Sequence, residues 1–185
     1  MKNRRLTAFS AVVLGAVGSL AAAAPAGAAP HRVETVMHIG RFDAAVAAAH
    51  GYEIRTYPNG TQYSVPKGAP AGLAPHNVVT GDCGRSWVWE DGIGNASVHL
   101  DTGFNVRTAV IGRSWTVTLD DNGGESTQGF SGGPSGAYWD EGRNVGGLTR
   151  GPGYAVVKGG GGNFAILIDG GVCYSGGPSA STTIY

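Results

Sequence analysis

Two sets of side chains in this chain could do chemistry on a ligand, and both lie in its second half. Tyr138, Trp139, Asp140 and Arg143 place rings, a carboxylate and a guanidinium within one short stretch. Such a set suits a polar, ring-shaped ligand, because an aromatic face stacks on a sugar while charged neighbours fix its hydroxyls. Trp139, between Tyr138 and Asp140-Glu141 in a loop-like stretch, is expected as the exposed ring. The second set is the carboxylates Asp101, Asp140 and Glu141, which in one cleft would serve acid-base hydrolysis of polymer linkages. His99 stands two residues before Asp101, hence on the same strand face, where the acid could orient an imidazole as a general base. Polar residues on a wet face explain the same spacing without chemistry.

Ser131 invites a nucleophile reading. Gly129-Phe130-Ser131-Gly132-Gly133 fits G-x-S-x-G, in which a serine sits exposed on a sharp strand-to-helix turn. That fold needs its histidine after the serine, whereas His31, His38, His50, His76 and His99 all precede Ser131. Extended to Pro134, the stretch resembles the G-D-S-G-G-P segment of trypsin-like proteases, and the order His50, Asp101, Ser131 is then permitted. Phe130 stands where that family has an aspartate, Ala47-Ala48-Ala49-His50-Gly51 lacks the cysteine expected after the histidine, and the gap from Asp101 to Ser131 is too short for a second barrel. No catalytic residue is assigned.

Metal and cofactor chemistry finds little support. The histidines are scattered without zinc spacing. Asp120-Asp121-Asn122-Gly123-Gly124-Glu125 offers oxygen ligands for calcium, but lacks flanking helices and the helical calcium loop's spacing, so a solvated turn is expected and no cofactor or metal is assigned. Asn95-Ala96-Ser97 fits the glycosylation acceptor pattern, a short motif that carries no weight here.

The amino terminus reads as an export signal over residues 1–29: Lys2, Arg4 and Arg5, an apolar stretch from Leu6, and Ala26-Gly27-Ala28 before a cut. A secreted, extracellular protein without a stable membrane anchor is the expectation. Arg4-Arg5 raises a twin-arginine signal, but Leu6-Thr7 favours the general export route. With the three leader charges set aside, 10 basic residues face 13 acidic ones, a net charge of −3 that argues against nucleic-acid binding. Cys83 and Cys173, the only cysteines, are expected to pair in an oxidising compartment.

These residues need elements to hold them. Residues 41–50 carry Phe42, Val46 and Ala49 at helical spacing, and Gly51 ends the pattern. Strands at 52–57 and 61–65 flank the turn Pro58-Asn59-Gly60, so 30–65 reads as a helix and hairpin. A Pro/Gly linker, 66–76, precedes a disulfide-closed β-domain over 77–185. There Ala96, Val98 and Leu100 alternate with polar residues, as do Trp115, Val117 and Leu119. Residues 154–158 and 164–168 read as a hairpin around Gly159 to Gly162, with the second strand buried on both faces. Trp87 and Trp89 share one face of a strand and are expected in the core, with Ser86 and Glu90 opposite. The glycine-rich stretch 123–136 is expected to be mobile. Repeated strands, glycine turns and no intervening helices predict a mainly β, antiparallel β-sandwich, with a small barrel as second choice.

Gly81-Asp82-Cys83-Gly84-Arg85-Ser86, followed by alternating strands and a late cysteine, resembles small secreted proteins of actinobacteria without a known role. The resemblance implies a compartment and no activity. The expected function is therefore non-enzymatic binding at an extracellular surface, with an open ligand identity for which carbohydrate is the first class to consider. A small hydrolase of wall or plant polymers is the second reading. An inhibitor or toxin presenting the loop 129–136 is the third.

Overall fold

The computed structural model describes residues 32–75, 77–79 and 81–185. The expected export signal, His31 and His76 lie outside the described residues. The chain is mainly β and antiparallel.

Strand β1, Val33–Phe42, is the first element among the described residues and hands over to a short helix α1, Ala44–Ala49. The helix is shorter than the expected 41–50, because Asp43 caps it: its carboxylate accepts the backbone N–H groups of Ala45 and Val46. Arg41 and Phe42 belong instead to β1, and the buried helix residue is Ala47, which sits against Gly170. The hairpin β2, Tyr52–Thr56, and β3, Gln62–Pro66, forms as expected, with Gly60 at φ 87° in its turn. A short β4, Asn77–Val78, completes this three-stranded sheet. Asp169 anchors it to the main body: its carboxylate accepts from the Asn77 amide and its carbonyl from the Ser64 hydroxyl.

The long hairpin β5, Asp82–Gly94, and β6, Ser97–Val106, precedes β7, Val110–Ser114, β8, Thr116–Asp121, and β9, Gly124–Gly129. Then come β10, Tyr138–Gly146, β11, Gly151–Val156, β12, Phe164–Leu167, β13, Gly171–Tyr174, and β14, Ser179–Ile184. A curled seven-stranded sheet runs β10-β6-β5-β1-β13-β12-β7, and a four-stranded sheet, β14-β11-β8-β9, packs on one face of it. Three expectations are corrected. The strands on either side of Gly159 to Gly162 lie in different sheets, so the glycines carry the chain across the sandwich and make no hairpin. Phe164–Leu167 alternates half-buried and buried residues, since only one of its faces meets the core. The stretch 123–136 contributes an edge strand, and past it Phe130 is buried while Gly132 and Ser135 bridge to β7.

The core draws Met37, Ile39, Val88, Leu100 and Phe104 from the large sheet, and Val117, Leu119, Ala155 and Ile184 from the small one. Trp115 fills the centre, with its ring edge-on to Phe104 and its indole N–H donated to Thr102. The Thr102 hydroxyl in turn donates to the Trp87 carbonyl. Every polar atom in that chain is thereby matched, as burial requires.

Cys83 and Cys173 are joined, with Cα atoms 6.1 Å apart. The bridge ties β5 to β13, the two strands that flank β1. Closing a loop 90 residues apart restricts the unfolded chain by about 4–5 kcal/mol in the chain-entropy picture. The double variant Cys83→Ala/Cys173→Ala should lose stability of about that size in urea unfolding, and adding reductant should then change nothing further.

Glu90 is the misfit of the sandwich. Its side chain is buried toward Gly153 and Ile184, Oε2 has no hydrogen-bond partner, and burial raises its carboxyl to about 7. The folded state holds this proton more tightly than the unfolded state does. Stability is therefore full below the ordinary value of 4.5 and falls as pH climbs through about 7. Glu90→Gln should remove that loss, gaining about 1–3 kcal/mol over wild type at pH 8 and nearly nothing at pH 4.5 in urea unfolding.

Candidate functional site

Pleating decides which side chains the open face of the large sheet can present. Successive residues of a strand point to opposite sides, so each of β5, β6 and β10 splits into an inner and an outer set. On β10, Trp139, Glu141 and Arg143 point inward, while Tyr138 and Asp140 point outward. The stretch expected to be a loop is a strand paired with β6 along its whole length. Trp139 is accordingly buried, 8 % exposed, against Phe104, Trp115 and Phe130, which corrects its reading as the exposed ring. Tyr138 and Asp140 share a surface, and Trp139 and Arg143 lie on the other side of the sheet.

The tryptophans of β5 are reversed in the same way. Ser86, Val88 and Glu90 face the second sheet, and Ser86 is accommodated there by hydrogen bonds with Thr35 and Ser175. Trp87 and Trp89 therefore lie on the outer face. Trp87 is 1 % exposed even so, because Arg32 and Tyr138 cover it.

Register places these groups in rows across the face. Trp87 is level with Gly103 and Gly103 with Asp140; Trp89 is level with Asp101 and Asp101 with Gly142. Gly103 is the pivot. A Cβ there would come within 2.5 Å of the Trp87 ring and 2.3 Å of the Trp139 carbonyl oxygen. Without it, the indole lies flat across β6 and its N–H reaches Asp101 and Asp140, at 3.2 Å each. The Tyr138 hydroxyl donates to the other oxygen of Asp140 at 3.1 Å. The Arg32 guanidinium stacks over the Trp87 ring, 3.4 Å from its centroid.

Burial and a like charge nearby both disfavour ionisation of a carboxyl. Burial, then the charge of Asp140 and a hydrogen bond with it, push the Asp101 carboxyl up, opposed by the Trp87 N–H and Arg32. Two hollows meet at Arg32. One, of about 360 Å³, is lined by Arg32, Trp89, Asp101 and Asp140. The other, of about 470 Å³, runs past Trp87, Tyr138, Asn105, Arg85 and Arg107. Arg32 borders both, so the groove is acidic on one side of it and basic on the other.

No family model, curated protein or solved structure matches this chain.

The other motifs resolve structurally. The Ser131 hydroxyl accepts the Trp115 backbone N–H at 2.9 Å, and His50 is the C-cap of α1. His99 pairs with Asn144 at 2.8 Å and meets Trp89 edge-on, on the same face as Asp101. Asp121 accepts backbone N–H groups from Thr149 and Gly123, which hold its carboxyl below the ordinary range, so it closes the β8–β9 turn. Among the described residues no three His, Cys, Asp or Glu side chains gather as a metal site would need. Glu141 lies inward between Arg143, at 2.9 Å, and Arg113, at 3.8 Å, and so is separated from Asp101 and Asp140 by the sheet.

Sequence reasoning missed Arg32, Trp87 and Gly103. The signal available was the alternation of Val33, Thr35, Met37 and Ile39, which marks β1 and places Arg32 at its start. The raised Asp101 carboxyl is directly measurable. Asp140→Asn should lower the Asp101 titration toward the ordinary aspartate range, and Trp87→Phe should raise it above wild type, both followed by carbon-13 NMR of the side-chain carboxyl.

Proposed function

We propose that this is an exported, non-enzymatic binding protein whose outer β5–β6–β10 face takes a saccharide. The observation that carries the reading is the groove itself, where Tyr138 and Trp89 offer rings beside the paired carboxylates of Asp101 and Asp140. Rings supply apolar stacking to sugar faces, and the acids accept from hydroxyl groups. Export is supported by the leader-like residues 1–29 and by the disulfide. Among the described residues, no helix is long and apolar enough to cross a membrane.

The same acid pair favours a second reading, hydrolysis of an extracellular polymer. A glycosidase pair stands roughly 5–10 Å apart, so that a glycosidic oxygen or a water fits between the acids. Asp101 and Asp140 both accept from the one Trp87 indole N–H, at 3.2 Å each, which ties the two acids to a ring rather than leaving both turned toward a glycosidic bond. Binding is thus the better supported of the two. The inhibitor reading rested on the loop 129–136, whose Phe130 is buried and whose Ser131 is engaged with Trp115.

Titration with soluble oligosaccharides, followed by tryptophan fluorescence, tests the reading. Saturable quenching is expected, weakened at least tenfold by Tyr138→Ala, with no release of reducing ends over a day. A flat response to every saccharide tried would end the binding reading, and reducing-end release abolished by Asp101→Asn would install the hydrolase in its place.

A further inference from the structure

The outer groove already contains a bound cation, and it comes from the chain itself. Arg32 lays its guanidinium on the Trp87 ring, beside the acid pair that the indole N–H holds together. This is the arrangement by which proteins bind organic cations, an aromatic face backed by carboxylate charge. Its attachment is slight. The one ion pair of Arg32 among the described residues is with Glu34, at 3.4 Å, and its side chain is 40 % exposed. The guanidinium borders both hollows, and removing it would take away one of the two covers of the Trp87 ring, leaving Tyr138.

We propose that the Trp87–Asp101–Asp140 site is a receptor for the ammonium group of an amine-bearing saccharide, and that Arg32 is its occupant in the free protein. The inference rests on the saccharide reading above and names the ligand class. The backbone N–H and C=O groups of β6, the strand at the centre of the groove, are spent in the β5–β6 and β6–β10 ladders, so an extended peptide laid over it would find no main-chain partners there. A sugar needs none. An ammonium over Trp87 would meet the carboxylates of Asp101 and Asp140, while the sugar ring extends toward Tyr138 on one side or Trp89 on the other.

Arg32→Ala removes the occupant at an exposed position, and circular dichroism with thermal melting confirms that the fold is kept. Wild type and variant are titrated with a glucosamine tetramer, its fully N-acetylated counterpart, a neutral glucose tetramer and arginine amide, using tryptophan fluorescence. The expected result is that Arg32→Ala binds the glucosamine tetramer at least tenfold tighter than wild type does, and at least tenfold tighter than the N-acetylated form. Asp140→Asn in the Arg32→Ala background should erase that preference. Equal binding of amine and N-acetylated oligomers overturns the ammonium site and leaves the saccharide reading standing. Binding of arginine amide as tightly as the glucosamine tetramer overturns the saccharide as the source of the cation. Absence of binding by all four probes overturns both readings.

Discussion

Covering one face of the seven-stranded sheet with a second sheet makes every residue of β5, β6 and β10 either core or surface, because neighbours along a strand point to opposite sides. The assignment then propagates through the ladder. Once Val88 is inside, Trp87 and Trp89 are outside; register with β6 places Gly103 and Asp101 outside with them, and register with β10 adds Asp140. One slip of pairing would send Trp87 into the core and Val88 to solvent. The long β5–β6 and β6–β10 ladders that prevent such a slip are also what aligns Trp87, Gly103 and Asp140 in one row.

The two faces of that sheet use Trp87 and Thr102 to communicate through hydrogen bonds. Thr102, on the inner side, accepts from the central Trp115 and donates to the carbonyl of Trp87. The backbone of Trp87 is therefore fixed by the core, while its ring lies on the surface over Gly103. A groove floor fixed in this way is preorganised, and a ligand that stacks on it loses less free energy to ordering of the protein.

Much of the architecture is legible in the sequence where alternation is clean and a turn is marked. Val98 and Leu100 in β6, Val117 and Leu119 in β8, and Pro58-Asn59-Gly60 between β2 and β3 have both signals. What escaped has a physical reason in each case. Glycines 159–162 suit a crossing between sheets as well as a hairpin turn, and only the partner strands distinguish the two. On β5, alternating polarity gave the wrong inner face. Ser86 is tolerated inside because Ser175 and Thr35 meet its hydroxyl, and Glu90 because burial keeps its carboxyl protonated toward neutral pH. Trp87 is large and apolar yet belongs to the surface, since other residues cover it there. The site residues Tyr138 and Asp140 were visible as chemistry in the sequence, whereas their separation from Trp139 and Arg143 follows from β10 being a strand.

Cation-on-ring packing occurs on both sides of β10, and the contrast shows what each instance does. Inside, Arg113 stacks on Trp139 and Arg143 on Phe130, with Glu141 between them. Arg113 also donates to the carbonyls of Phe130 and Gly133, and its side chain is only 12 % exposed. That cation holds the 130–133 segment against the curled sheet, and exchanging it would strand backbone carbonyls. Outside, Arg32 stacks on Trp87 beside the Asp101–Asp140 pair, without a comparable set of carbonyl contacts among the described residues. The interaction is the same in kind, but the inner guanidinium is built into the fold and the outer one rests on it. A stacked cation that no backbone group depends on can be exchanged for another at little cost to the fold, which makes the outer ring, rather than the inner pair, the place for a ligand.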